Sequence, residues 1–190
     1  KDGVAYNELK EIDKYALLKL SKLIGKIHEA YDAFEFHAVY HSLYGFCVND
    51  LSAFYLDVIK DRLYCDGKDS VSRRAAQTAV HEILSALIAI MAPILSFTAE
   101  DIHQRIDKSG KSIFFEGLPL PKKERETKEL EEKWDRILGI RAEVFKKIEE
   151  LSSAKIINQS SECDVIIKVK PIHELALQSI ELDLAQTFLV

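Results

Sequence analysis

Five cations crowd one short stretch of this chain: Lys60, Arg62, Lys68, Arg73 and Arg74, against the anions Asp61, Asp66 and Asp69. Lysine and arginine at that density suit one task above others, holding phosphate oxygens by charge and hydrogen bonds. Arg73 and Arg74 fall in the first turn of an expected helix, where the macrodipole disfavours cations. Two kinds of partner would offset that conflict. One is an internal acid such as Asp57 or Asp61; the other is a phosphate, which the free amides of a helix N-terminus also welcome. Tyr64, between the two clusters, would stack on a base or pack on the protein. These residues alone leave RNA contact and internal ion pairing equally open.

Catalytic and metal chemistry have less to stand on. The chain has no Gly-rich phosphate loop and no G-x-S-x-G. His28, His37, His41, His81, His103 and His173 are scattered, and although His37 and His41 share a helix face, no H-E-x-x-H or C-x-x-C frames them. We therefore expect no metal, no cofactor and no catalytic residue in this chain. Glu100 and Asp101 read as acids of a helix start. Cys47, Cys65 and Cys163 are far apart, which fits a reducing compartment. Cys47 reads as a core residue on an apolar face.

The elements that must position the cationic corner are long. At 190 residues, 47% hydrophobic and 30% charged, the chain suits one large folded domain or two small ones rather than disorder. With only 7 Gly and 4 Pro, turns are few. No run of about 18 uncharged apolar residues exists, so no membrane span is expected. The start, Lys1-Asp2-Gly3-Val4, lacks a signal-peptide core and a Met, and we expect a piece of a longer protein. The net charge of −5 argues against a generally basic nucleic-acid binder, but phosphate contact needs only a local patch.

Leu9, Ile12, Ala16, Leu20, Leu23, Ile27 and Ala30 recur at helical spacing and predict a first helix over about 6–31, with Lys14, Lys19, Lys22 and Lys26 off the stripe. A second helix is expected over about 33–62. Its broad stripe runs from Phe36, Val39 and Tyr40 through Phe46 and Leu51 to Val58 and Ile59, and Gly45 at its middle suggests close approach of another helix. Val71, Ala75, Ala79, Ile83, Ala86, Leu87 and Ile90 predict the stripe of a third helix over about 71–91, with Ser70 as its N-cap and Pro93 as its stop. Thr98 reads as the cap of a fourth, short helix ending near Asp107. Ile113-Phe114-Phe115 and Leu118-Pro119 are too apolar for a free linker, and a charged helix follows over about 127–151 with Trp134 in its apolar face. Cys163 to Val169 is β-branched and strand-like, with a helix expected over 172–180 and a strand over 187–190.

The order of these motifs is itself informative. Tyr31-Asp32-Ala33-Phe34-Glu35-Phe36-His37, Ser52 to Tyr64, Asp69 to Thr78 and Met91 to Glu100 stand in a sequence and at separations that resemble the anticodon-binding helical domain of class I aminoacyl-tRNA synthetases. The bacterial-type isoleucyl family is the nearest, since Lys60-Asp61-Arg62 together with Arg73-Arg74-x-x-Gln77-Thr78 favours it over the valine, leucine and methionine enzymes that share the bundle. Ser112-Ile113-Phe114-Phe115-Glu116 and Trp134 continue the resemblance, which departs at Ile157 to Cys163, where the family often carries Ile-Gly.

The resemblance implies a mainly α fold: an antiparallel anticodon-binding bundle over 1–110, a connector over 111–126, and a C-terminal helix plus a small α/β region over 127–190. It implies that the chain binds the anticodon stem-loop of an isoleucine tRNA, with Lys60, Arg62, Lys68, Arg73 and Arg74 on the RNA backbone and Tyr64 and Gln77 near bases. The parent would be a monomeric, cytoplasmic isoleucine–tRNA ligase using ATP with Mg2+, its catalytic and editing domains outside this chain. Zinc, where the family carries it, sits in a terminal cysteine-rich module that these residues lack. The rival expectations are the same role in a valyl-type enzyme, or a helical protein-interaction module whose Tyr40, Tyr44 and Phe54 serve a partner.

Overall fold

The computed structural model describes residues 3–159, 162, 164–168, 177, 187 and 188. The chain divides into two compact units, Lys1–Glu126 and Thr127–Val190.

The first unit is a helical bundle built around α1 (Glu11–Asp32). Every residue of its expected stripe is buried, but so are Asp13, Tyr15, Leu17, Leu18, Ser21 and Ile24. The face is wider than its period suggests because α1 is central, packing on α2, α5 and the connector. It ends in a Schellman turn: Glu35 N–H donates to Ala30 O (2.8 Å) and Phe34 N–H to Tyr31 O (3.0 Å), with Phe34 held at φ 57°. Tyr31 ties this end to the bundle by donating its hydroxyl to Ile90 O (2.8 Å).

The single helix expected over 33–62 is four pieces. α2 (Phe36–Gly45) runs into a π-helical segment (Phe46–Tyr55), followed by α3 (Leu56–Val58) and α4 (Lys60–Tyr64). The reason lies in the core residues. Phe46 and Leu51 are both buried and stand five apart, a step that i→i+5 hydrogen bonding keeps on one face and an α-helix does not. Cys47, expected in the core, is only half-buried in consequence. Gly45 sits at the α–π junction with open space around it, as an added Cβ would meet nothing within 4 Å. No other helix comes within 4 Å of that Cβ position, contrary to the close approach expected.

Helix α5 (Val71–Met91) buries Ala75, Ala76, Ala79, Ile83, Ala86, Leu87 and Ile90, and its small residues let it lie close to its neighbours. Ser70 holds the N-cap position but makes no side-chain cap; its hydroxyl lies 3.3 Å from Asp66 Oδ2 instead. Val71, expected in the stripe, is exposed. Helix α6 (Ser96–Ile106) begins two residues before Thr98, with Leu95 at its N-cap position, and packs Ala99 against Ile88, Ala89, Ala92 and Ile113.

The connector is pinned by Ile113, as expected, and otherwise by polar groups. Ile113 is buried, whereas Phe114 and Phe115 are exposed. Glu100 accepts from Ser112 Oγ (2.8 Å), Ile113 N–H (3.0 Å) and Gln104 Nε2 (2.9 Å), and those bonds, Ser112 first, hold its carboxyl below the usual range. His28 Nε2–H donates to Pro119 O (2.7 Å), and Ser21 Oγ donates to Glu126 (2.7 Å). Glu82 on α5 accepts from Lys122 (2.6 Å) and Arg125 (2.7 Å), and the Arg125 guanidinium lies 4.3 Å over the Tyr6 ring.

The second unit contains α7 (Lys128–Ser153), with Trp134 and Ile137 buried. Arg141 donates to Thr187 O (3.0 Å) and lies over the Phe145 ring. Among the described residues there is no strand. Residues 164–168, expected to be extended and paired, are irregular, and Thr187 and Phe188, expected in a strand, are helical. The rest of the expected strands and the helix over 172–180, apart from helical Leu177, lie outside the described residues.

Candidate nucleic-acid interface

The corner between α4 and α5 is built from inside outwards. Asp13 on α1 is fully buried, and an unpaired carboxylate there would be severely unfavourable. Arg62 on α4 reaches it with two parallel bonds, Nη1 to Oδ1 (2.9 Å) and Nη2 to Oδ2 (2.7 Å). Tyr55 donates its hydroxyl to Asp13 Oδ1 (2.8 Å). Burial and the Asp13 charge push that phenol far above its usual range, so it stays a donor. Arg62 also donates from Nε to Ser72 Oγ (3.2 Å) and from Nη2 to Ser72 O (2.9 Å). One guanidinium thus joins α1, α4 and the first turn of α5.

This corrects the expectation for Arg62. Its side chain is 4% exposed and its donors are engaged internally, so it has no face for a phosphate. The conflict between cations and the α5 dipole is resolved locally for the others. Arg73 donates to Asp66 O (3.0 Å), and Arg74 lies 3.5 Å from Asp69 Oδ1. Lys60 pairs with Asp57, an acid that the sequence offers as an internal partner.

These pairs differ in kind from the buried one. Lys60 is exposed, Arg73 and Arg74 are partly exposed, and Asp69 is 89% exposed. Ion pairs of this type contribute about 0–1 kcal/mol and exchange readily for a stronger anion. Lys68 and Gln77 are exposed, and Tyr64 presents an aromatic ring that is 79% exposed. Of the five cations expected to act together, four are wholly or partly exposed, as is Tyr64, and the fifth is a buried link between elements.

A second surface carries no RNA-facing expectation from the sequence. Phe34, Phe36, Tyr40 and Tyr44 are all exposed along the turn after α1 and along α2. Phe34 and Phe36 meet edge-to-face with centroids 6.4 Å apart, and Tyr40 and Tyr44 stack at 5.9 Å. Aromatic faces open to water can stack on unpaired bases or cover an apolar partner. Helical periodicity assigns Phe36 and Tyr40 to the core stripe, and the density of aromatics over this short run is the signal that could have marked the surface. Phe54, grouped with Tyr40 and Tyr44 in the protein-partner expectation, is buried. His37 and His41 are exposed and belong to no group of metal-ligating side chains among the described residues.

Comparison with known proteins bears on the same segment. A family model described as the anticodon-binding domain of tRNA ligase matches residues 13–167. An isoleucine–tRNA ligase of Desulforudis audaxviator is 42% identical over 174 residues, covering 90% of this chain and 19% of that protein. Isoleucine–tRNA ligases of Desulforamulus reducens and Kosmotoga olearia are 42% and 41% identical, each covering 100% of the chain and 21% of the relative. The chain therefore spans about a fifth of the length of these curated relatives. Among the described residues no helix is long and apolar enough to cross a membrane.

Proposed function

The chain belongs to the anticodon-binding domain family of tRNA ligases, and from that premise we propose that it grips the anticodon arm of an isoleucine-specific tRNA as part of an isoleucine–tRNA ligase. The isoleucine assignment over a valyl-type one rests on relatives of that name matching all or nearly all of this chain. The bundle, 1–110 with its connector to 126, does the gripping. The activity of the whole protein is the joining of isoleucine to its tRNA with ATP and Mg2+, by a monomer in the cytoplasm. The residues here contribute binding energy far from that reaction, which helps hold the acceptor end in register.

The observation that carries the reading is the α4–α5 turn. Lys60, Lys68, Arg73, Arg74 and an exposed Tyr64 lie on α4, the α4–α5 turn and the start of α5, beside the buried Arg62–Asp13 pair. In this assignment the four cations hold backbone phosphates, Tyr64 and Gln77 lie near bases, and Arg62 positions the turn without touching RNA. The weak pairs with Asp57 and Asp69 open when phosphate arrives.

Titration with tRNA at several salt concentrations tests this in the chain and in the full-length ligase. Changing Arg73 and Arg74 together to Ala weakens binding and flattens the log–log salt slope by ~0.7–0.9 for each phosphate no longer neutralised. Unchanged affinity and slope in a variant with native helicity would sink the assignment. A helical module serving a protein partner through Phe34, Phe36, Tyr40 and Tyr44 is the second reading, favoured by the exposure of that row. It predicts no tRNA binding by the full-length protein through this region.

A further inference from the structure

We propose that His103, Asp107 and Glu116 form a site for one divalent transition-metal ion of the zinc class, clamping the end of α6 to the connector. The site is separate from the α4–α5 turn and independent of the RNA-binding reading.

The first observation is an orphaned donor atom. His103 is a polar residue 6% exposed in the first unit. Its Nε2 is buried and has no hydrogen-bond partner among the described residues. A buried imidazole nitrogen ordinarily finds a partner, because desolvation without one costs on the order of 1–3 kcal/mol. Here Nε2 points instead at two carboxylates, lying 3.7 Å from Asp107 Oδ2 and 3.9 Å from Glu116 Oε1. Both separations are too long for hydrogen bonds.

The second observation is that each of the three residues brings a ligand atom to the same place. These atoms all lie within 4.8 Å of one another. Zinc bonds to histidine and carboxylate of about 2.0–2.2 Å set neighbouring ligand atoms of a tetrahedron roughly 3.4 Å apart. The imidazole nitrogen stands within a few tenths of an ångström of that spacing from each carboxylate oxygen. His103 and Asp107 stand four apart, on one side of the end of α6, and Glu116 follows the 3-10 turn Ile113–Phe115.

The third observation is support behind a ligand. Ser109 donates its hydroxyl to Asp107 Oδ2 (2.6 Å) and its N–H to Oδ1 (2.9 Å). Those bonds fix the orientation of the carboxylate. A cavity of about 300 Å³ lined by His81, Ser85 and Ile106 adjoins the three groups and leaves room for water to complete the coordination. One imidazole with two carboxylates suits Zn2+, Co2+ or Mn2+ better than the all-oxygen preferences of Mg2+ and Ca2+.

The test uses the whole chain with Zn2+ and Co2+ chlorides as probes. One equivalent of Zn2+ is expected to remain after dialysis and to raise the thermal midpoint. Co2+ should give a visible spectrum of nitrogen and oxygen ligation without thiolate charge transfer. Glu116→Gln, at an exposed position, should weaken binding at least ~10-fold and abolish the metal-dependent thermal shift. Asp107→Asn should do the same. Failure to retain metal overturns the proposal, as does Glu116→Gln binding with wild-type affinity. Thiolate charge transfer with Co2+ would place the ion on a cysteine and also overturn it.

Discussion

The guanidinium of Arg62 has protein on every side that matters to it, and its removal tests what the corner rests on. Arg62→Ala would strand Asp13 as a buried, unpaired charge and free Ser72 from α4. We expect a loss of about 3–5 kcal/mol in denaturant unfolding, the size found when one partner of a buried pair is deleted. Arg73→Ala, at a partly exposed side chain, should cost under about 1 kcal/mol. Glu82 gives the residue-scale pH dependence. Burial opposes its charge, but hydrogen bonds and charge from Lys122 and Arg125 outweigh it and hold its carboxyl below the usual range. The folded chain therefore takes up this proton at lower pH than the unfolded chain does. Its contribution is present above the ordinary carboxylate range and disappears as pH falls through the depressed folded value. Glu82→Gln should lower stability by about 1 kcal/mol at neutral pH, with the gap narrowing on acidification, as thermal scans across pH would show. Sequence identifies Arg62 as a charged residue at a helix end but cannot place it, because its partner Asp13 is 49 positions away and reads as a surface acid of α1.

Among the elements, the π segment was the least legible and the bundle around it the most. α1 and α5 announce themselves by step-of-three-and-four apolar residues, and their expected stripes are buried except for Val71. The stretch 46–55 carries the same residue types, so the five-residue step from Phe46 to Leu51 passes as part of a broad α-helical face. Gly45 shows what that reading conceals. With nothing within 4 Å of an added Cβ and helical backbone on both sides, Gly45→Ala should raise stability by about 0.4–1 kcal/mol. A destabilised variant in thermal unfolding would mean that the α–π junction needs glycine for a reason other than space. The metal-ligand trio was hidden in a similar way. His103 and Asp107 have helical spacing on α6, but Glu116 comes from a connector whose path no period predicts.

For the whole molecule, the division at Glu126 has an optical handle. Trp134 is the only tryptophan and is buried in the second unit, while most of the described helix lies in the first. Tryptophan fluorescence should follow the second unit alone and far-UV circular dichroism mainly the first, giving separate unfolding midpoints. Coincident transitions by both probes would show that the two units unfold as one. The separation of connector from bundle is legible in composition, since 111–126 lacks helical period. Its anchoring is not, because Glu82 and Glu100 capture it with polar groups rather than through Phe114 and Phe115.

The Arg62–Asp13–Tyr55 arrangement has a bearing on how such a surface can change over generations. The residues that fix the shape of the α4–α5 turn are inside, and those proposed to meet a ligand are wholly or partly outside. Lys60, Lys68, Arg73, Arg74 and Tyr64 can be exchanged one at a time with little effect on folding, so under the proposed reading affinity and selectivity can drift in small steps. The interior groups allow far less exploration, because loss of Asp13 or Arg62 leaves the other as a buried charge without its counter-ion.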